Sequence, residues 1–407
     1  MGESQAMKSR PKKAQAPAPE RRRESGEVRA FDRDDFDRDV WSVFGAPVDI
    51  AAPPQAVQAI ELAIRDGRRL RFVTPNLNYF MRATGDAQAR RQLVDSDLSL
   101  ADGAPIVMLA RALGAPIGAR CAGSDVFEIL RRRPGFAGRR IRVFFFGGRD
   151  GSAERAAAAV DAERRGVEAA GHLNPGFGDI EQMSADHIID AINEAKADFV
   201  LVALGAAKGE CWIEKNRDRL NAPVIAHLGA VVDFAAGAVA RAPVWVRKTG
   251  LEWAWRIKED PSLWRRYWQD GAGLAWLAMA RLAPALVLAR PRRRGAPARA
   301  DVSTQDGLAC IALSGDLVAS DREPVRRAFR EAAASGRDIV LDMSGAGAAD
   351  AAFLGQVLML EKAQRHASRR LLTRGLSPAL RRLFSAHMLQ YAEAENRAVA
   401  AQEFAAA

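Results

Sequence analysis

FVTPNLNYF, residues 72–80, sets the apolar pair Phe72-Val73 ahead of Thr-Pro-Asn and then a stretch with helical spacing. Pro75 fixes its own φ and biases Thr74 toward extended backbone, and Asn is a residue type that caps helices. The segment therefore reads as a strand that runs out into a turn and a helix. Two meanings are open for Thr74 and Asn76. They serve the turn alone, or they line a ligand site, because open α/β sheets bind ligands at the carboxyl ends of their strands.

Outward from that stretch, apolar runs alternate with helical patterns from Trp41 to Asp270, the signature of parallel strands joined by crossover helices. Strands are expected at 70–74, 141–146, 199–204 and 224–228, and helices at 105–113, 152–163, 210–220 and 251–259. A second, smaller α/β unit is expected over 306–392, with strands in LACIAL and DIVLDM and helices at 323–334, 353–366 and 378–387. The remaining segments read as a disordered tail (1–40), an interfacial segment with a basic linker (271–305) and a C-terminal tail (393–407).

A chain of 407 residues, 48% of them apolar, is long enough for two domains with real cores. Cys121, Cys211 and Cys310 lie far apart without metal-ligand spacing, so neither a disulfide framework nor a zinc site is expected. The N-terminal stretch has no apolar core and does not read as a secretory signal. A net charge of +10 points to an anionic partner. Much of the charge flanks one apolar stretch, with WRRYW at 264–268 before it and RPRRR at 290–294 after it. Arg281 and Pro284 inside the stretch argue against a membrane span and for a helix lying in an anionic lipid surface. A buried core helix with a solvated tail is the alternative. Nucleic acid is not an expected partner, as no zinc-finger or RNA-recognition motif is present.

The chemistry-bearing positions of the first unit sit at strand ends. Asp102 lies in LADGAPIV, where Asp-Gly before a proline is also an ordinary turn. FFFGGRDGSAE passes from a strand through Gly147 and Gly148 into a helix, and so suits a diphosphate at a helix N-terminus. It is neither a Walker A loop nor a GxGxxG fingerprint. Arg120 in GARCAGSD precedes another glycine turn.

Taken together, TPN, ADGAPIV, R-x-x-G-S-D, the GG loop, ALGAAKGE-x-W-I-x-x-N and the long D-F…R-A-P-x-W-x-R-K-x-G-L-E-W-x-x-R element, Asp233 to Arg256, resemble the WecG/TagA/CpsF glycosyltransferases of bacterial surface polysaccharide assembly. The resemblance implies a Rossmann-like parallel-sheet domain. It also implies inverting, metal-independent transfer of an N-acetylmannosamine-type or uronic sugar, with no cofactor. The donor would be a UDP-sugar and the acceptor a polyprenyl-diphosphate-linked sugar at the inner face of the cell membrane. Asp102 matches the family's general base and Arg120 the arginine that neutralises the UDP leaving group. Thr74 and Asn76 match the pocket-lining strand end. Arg241, Arg247 and Arg256 match the arginines of a C-terminal appendage that closes over the site. The loop Gly-x-Pro-Lys-Gln-Glu reads Gly205-Ala206-Ala207-Lys208-Gly209-Glu210 here. Lys208 and Glu210 are kept, while the glutamine expected to bond the nucleotide sugar is Gly209. A degenerate, non-catalytic scaffold is therefore the alternative to an enzyme.

Residues 306–392 resemble a STAS domain, through LACIALSGDL, DIVLDMSG and AADAAFLGQVLML. The STAS phosphorylation switch is an Asp followed by Ser or Thr at a helix start. Here it is Asp350-Ala351, which has no hydroxyl to modify. A constitutive module that docks a partner or self-associates through the face around Ala351 is expected.

Overall fold

The computed structural model describes residues 34–238, 242–243, 246, 252–259, 261–288 and 295–394. The first elements are an antiparallel hairpin, β1 (Val40–Val43) and β2 (Ala46–Asp49). Six parallel strands follow: β3 (Leu70–Val73), β4 (Leu98–Ser99), β5 (Ile141–Gly147), β6 (Val167–Leu173), β7 (Phe199–Ala203) and β8 (Val224–His227). They lie in the order β4-β3-β8-β7-β5-β6. β5 and β7 are almost unbroken apolar runs because helices cover both faces of the sheet. Their side chains alternate between two cores. Phe145 and Leu201 point to one with helices Pro53–Asp66 and Gly123–Arg132, and Phe146 and Val202 to the other with Trp212.

The second sheet comprises β9 (Arg299–Gln305), β10 (Leu308–Leu317), β11 (Ile339–Ala349), β12 (Leu371–Arg374) and β13 (Ala392–Glu393). Its order is β13-β12-β11-β10-β9, with β9 antiparallel to β10 and the other pairs parallel. Helices Glu323–Ala334, Ala351–His366 and Pro378–Ala386 accompany it. The protein is thus α/β, a parallel-sheet domain followed by a smaller α/β domain.

Several elements depart from the sequence reading. The helix expected from residue 210 opens at Ala206, since two alanines follow an N-cap glycine in extended backbone. The second sheet begins at Arg299, within the supposed linker. Residues 34–39, placed in the tail, are anchored: Phe36 is buried and the Arg38 guanidinium meets Asp49 at 2.8 Å. The stretch 264–288 is helical throughout, with a π-turn at Ala278–Leu282 just before Pro284. That turn accommodates a residue with no N–H to give the ladder. Among the described residues no helix is long and apolar enough to cross a membrane.

The largest correction concerns Ala351. It was expected on an exposed docking face, yet it is 3% exposed, because helix Ala351–His366 lies against β1 of the first domain. A Cβ on Gly355 would fall 2.1 Å from the Val40 carbonyl oxygen, so only glycine permits this approach. Ion pairs ring the contact. Arg90 makes a bidentate pair with Glu361 at 2.7 and 2.9 Å, which also accepts from the Tyr391 hydroxyl. Lys362 reaches Asp35 at 2.9 Å and Asp97 at 3.1 Å. These pairs are part-buried, so water screens them less than it would a surface pair. Asp350 keeps a structural task, accepting from the N–H groups of Ala352, Phe353 and Ala319 at 2.8–3.0 Å.

Candidate active site

The strand ends of the first sheet open on a cavity of about 1890 Å³ lined by Thr74, Asn76, Asp102, Arg120, Gly148, His227, Asp233, Glu252 and Arg256, among others. That exceeds an ordinary single-ligand pocket of about 300–1,000 Å³ and leaves room for two substrates. Backbone bonds gather the three loops at its floor. The Asp102 N–H donates to Pro75 O at 3.2 Å, which sets the carboxylate beside the Thr-Pro-Asn turn. The Cys121 N–H donates to Ala101 O at 2.8 Å, which brings Arg120 alongside. Asn76 serves as both turn residue and lining residue: its Oδ1 accepts from the Tyr79 N–H at 3.0 Å and caps helix Leu77–Gly85. Any ligand contact therefore falls to its NH₂ group.

Burial pushes the Asp102 carboxyl up to about 7, with Arg120 pulling the other way and Glu252 adding to the rise. A carboxyl poised there suits proton transfer at neutral pH. Arg120 is paired in turn: its Nη1 lies 2.6 Å from Glu252 Oε2 and its Nη2 3.7 Å from Asp125 Oδ2. Glu252 opens helix Glu252–Glu259, which also holds the Arg256 guanidinium 5.9 Å from the Phe234 ring. Gly147 and Gly148 both take positive φ (92° and 95°) at the end of β5, and Gly148 faces the cavity.

Not every expected site residue gathers here. Gly147 and Lys208 are not part of the lining, and Lys208 donates to Gly178 O at 2.9 Å on the surface. Glu210 touches the cavity but is 2% exposed and held by Arg71 at 2.9 Å, an ion pair tying β3 to helix Ala206–Asn216. Arg241 and Arg247 lie outside the described residues. Among the lining residues that were not foreseen are His227, Asp233 and Glu252. Asp233 and Glu252 stand inside the long C-terminal motif, so a signal existed. Asp233 Oδ1 is buried without a hydrogen-bond partner among the described residues. His227 carries no such signal, and its imidazole meets Leu204 O.

Trp253, Trp264 and Trp268 are part of the cavity lining. Trp253, Trp264, Trp268, Trp276 and Met279 are all exposed, Trp268 by 73%, and most belong to the helical stretch 264–288. Arg265 and Arg266 sit over the Trp264 and Tyr267 rings there.

Both domains match described families. A family described as "Glycosyl transferase WecG/TagA/CpsF family" matches residues 41–286, and "Mlab, STAS domain" matches 300–390. An N-acetylglucosaminyldiphosphoundecaprenol N-acetyl-beta-D-mannosaminyltransferase of Bacillus spizizenii is 30% identical over 195 residues, 48% of this chain and 73% of its own length. One of the same name from Staphylococcus aureus is 26% identical over 227 residues, 55% of this chain and 85% of its own. The unphosphorylated anti-sigma factor antagonist SpoIIAA aligns with 26% of this chain and 96% of its own, at 18% identity and a TM-score of 0.22. The chain belongs to the WecG/TagA/CpsF family of glycosyltransferases, with a STAS domain following the transferase domain.

Proposed function

We propose that the protein transfers an N-acetylmannosamine-type or uronic sugar from a UDP-sugar to a polyprenyl-diphosphate-linked sugar, working peripherally at the cytoplasmic face of the membrane. The observation that carries the reading is the Asp102 carboxyl, raised to about 7 beside Arg120 on the floor of a two-substrate cavity. The acceptor hydroxyl oxygen attacks the anomeric carbon and gives its proton to Asp102. The bond from that carbon to the diphosphate oxygen breaks, and the electron pair leaves with UDP. Arg120 and Arg256 stabilise the departing charge, for which guanidinium groups are apt. One attack in line gives inversion.

The names of the mannosaminyltransferase relatives support the lipid-linked acceptor. The exposed tryptophans and neighbouring arginines support contact with an anionic membrane surface, where indole rings sit at headgroup level. The degenerate-scaffold reading draws on Gly209; Asp102, Arg120, Arg256 and the cavity volume support the enzyme. Purified protein given a panel of UDP-sugars and a polyprenyl-diphosphate-sugar acceptor is the test. UDP release that requires both substrates supports transfer; none with any pair would favour the scaffold.

A further inference from the structure

The STAS domain and the cavity share a core. Ala351 and Ala386 of the STAS helices lie in one buried cluster with Phe80 of helix Leu77–Gly85, Ile106 of helix Ala104–Ala112, and Leu277 and Ala285 of the stretch 264–288. The first of those two cavity helices follows Asn76 and the second follows Asp102. The stretch 264–288 roofs the cavity and is held from two sides. Arg281 Nη1 donates to Ser385 O of the STAS helix Pro378–Ala386 at 2.7 Å. Asn78 Nδ2 donates to Asp270 Oδ1 at 3.2 Å, joining the roof to the helix capped by Asn76.

We infer that the STAS domain acts in cis as a clamp. Its helices Ala351–His366 and Pro378–Ala386 fix the roof and the two cavity helices, and the face around Ala351 is occupied by this chain rather than offered to a separate protein. Three features support a permanent contact. Gly355 admits the Val40 carbonyl where any side chain would collide. The Arg90–Glu361 and Lys362–Asp35 pairs close the rim. Position 351 is an alanine, which presents no hydroxyl for a charge-adding modification at the contact. A rigid roof keeps the acceptor side of the cavity shaped before lipid arrives; that consequence rests on the transfer reading above, whereas the clamp does not.

The test uses the full chain with two substitutions, Gly355→Ala and Arg281→Met, and two readouts. Hydrogen exchange should rise about tenfold or more in Leu77–Gly85 and in 264–288 in Gly355→Ala, while β5 and β7 keep their protection. Arg281→Met should raise exchange in 264–288 alone, by a smaller factor, at an unchanged melting temperature. In kinetics, KM for the lipid-linked acceptor should rise several-fold in both, with KM for the UDP-sugar within about twofold of wild type. Unchanged exchange in the roof of both variants overturns the clamp. If Gly355→Ala unfolds globally, Arg281→Met decides: a loosened roof supports the clamp and an unaltered one overturns it. Selective loosening in a chain that transfers no sugar would retain the clamp and remove the transfer reading.

Discussion

The His227 imidazole occupies the space in front of Gly209: a Cβ at position 209 would fall 2.2 Å from His227 Cδ2. The glutamine expected at 209 and the histidine at the end of β8 are thus alternatives for one volume at the cavity wall. Gly209→Gln alone should overpack the site, costing about 1–3 kcal/mol of stability. His227→Ala should raise the UDP-sugar KM several-fold by removing a polar wall group. The double variant Gly209→Gln/His227→Ala should recover stability and part of the donor affinity. Melting and donor KM measured on the three variants check this; a double variant no better than Gly209→Gln would show that the two positions do not exchange roles.

Asp102→Asn keeps the shape of the side chain and loses its ability to take a proton. Turnover should fall about 10²–10⁴-fold with UDP binding little changed. In the wild type, activity should rise with pH and level off above about 7, because the base works only when ionised. A rate profile flat from pH 5 to pH 8 would remove Asp102 from this role.

Glu252 both neutralises Arg120 and raises the Asp102 carboxyl. Glu252→Gln should therefore act in two ways. Arg120, released from its carboxylate, should bind UDP more tightly. The acidic limb of the pH-rate profile should move to lower pH, since a negative neighbour of Asp102 is gone. Calorimetric titration with UDP and the pH profile of the variant are the measurements, and a limb at the wild-type position would count against the coupling.

His387, buried at the domain contact against Ser42, has its imidazole pushed down to about 4 by burial. A histidine that is neutral when folded and titrates near 6.5 when unfolded takes up protons on unfolding. The stability it contributes is complete above about 6.5 and is lost as pH falls toward 4, by up to about 3 kcal/mol. Acid should thus loosen the domain contact in a window above the one in which the Asp35 and Glu361 carboxylates are protonated. His387→Phe should flatten the melting temperature between pH 6.5 and pH 4.5; an unchanged slope would mean that other groups set it.

Local pattern made the scaffold legible. β5 and β7 are continuous apolar runs, and Pro75 with Asn76 marks a strand end whatever surrounds it. Asp102 and Arg120 were legible through the resemblance of their motifs to the WecG/TagA/CpsF pattern, since each stretch alone reads equally as a turn or a solvated arginine. What escaped depends on distant partners. Nothing near Glu210 announces that Arg71 will hold it, and nothing near Lys208 announces that its ammonium will turn to Gly178. Nothing near Gly209 announces that the His227 imidazole fills the space in front of it. Ala351 read as part of a face open to a partner, because the strand that covers its helix, β1, lies at the other end of the chain.

That distance has a consequence for biosynthesis. The Arg38 carbonyl accepts from Gln356 Nε2, 318 positions along the chain. The hairpin β1–β2 leaves the ribosome well before helix Ala351–His366, one of the elements packed on it. Domains generally fold as they emerge, the N-terminal one first, but here the part of β1 that meets Gly355 stays uncovered until helix Ala351–His366 is made. Ribosome-bound chains that stop before residue 351 present that face of β1 to whatever surrounds them, and a chaperone that shields it during elongation should raise the yield of folded protein more than one acting after release.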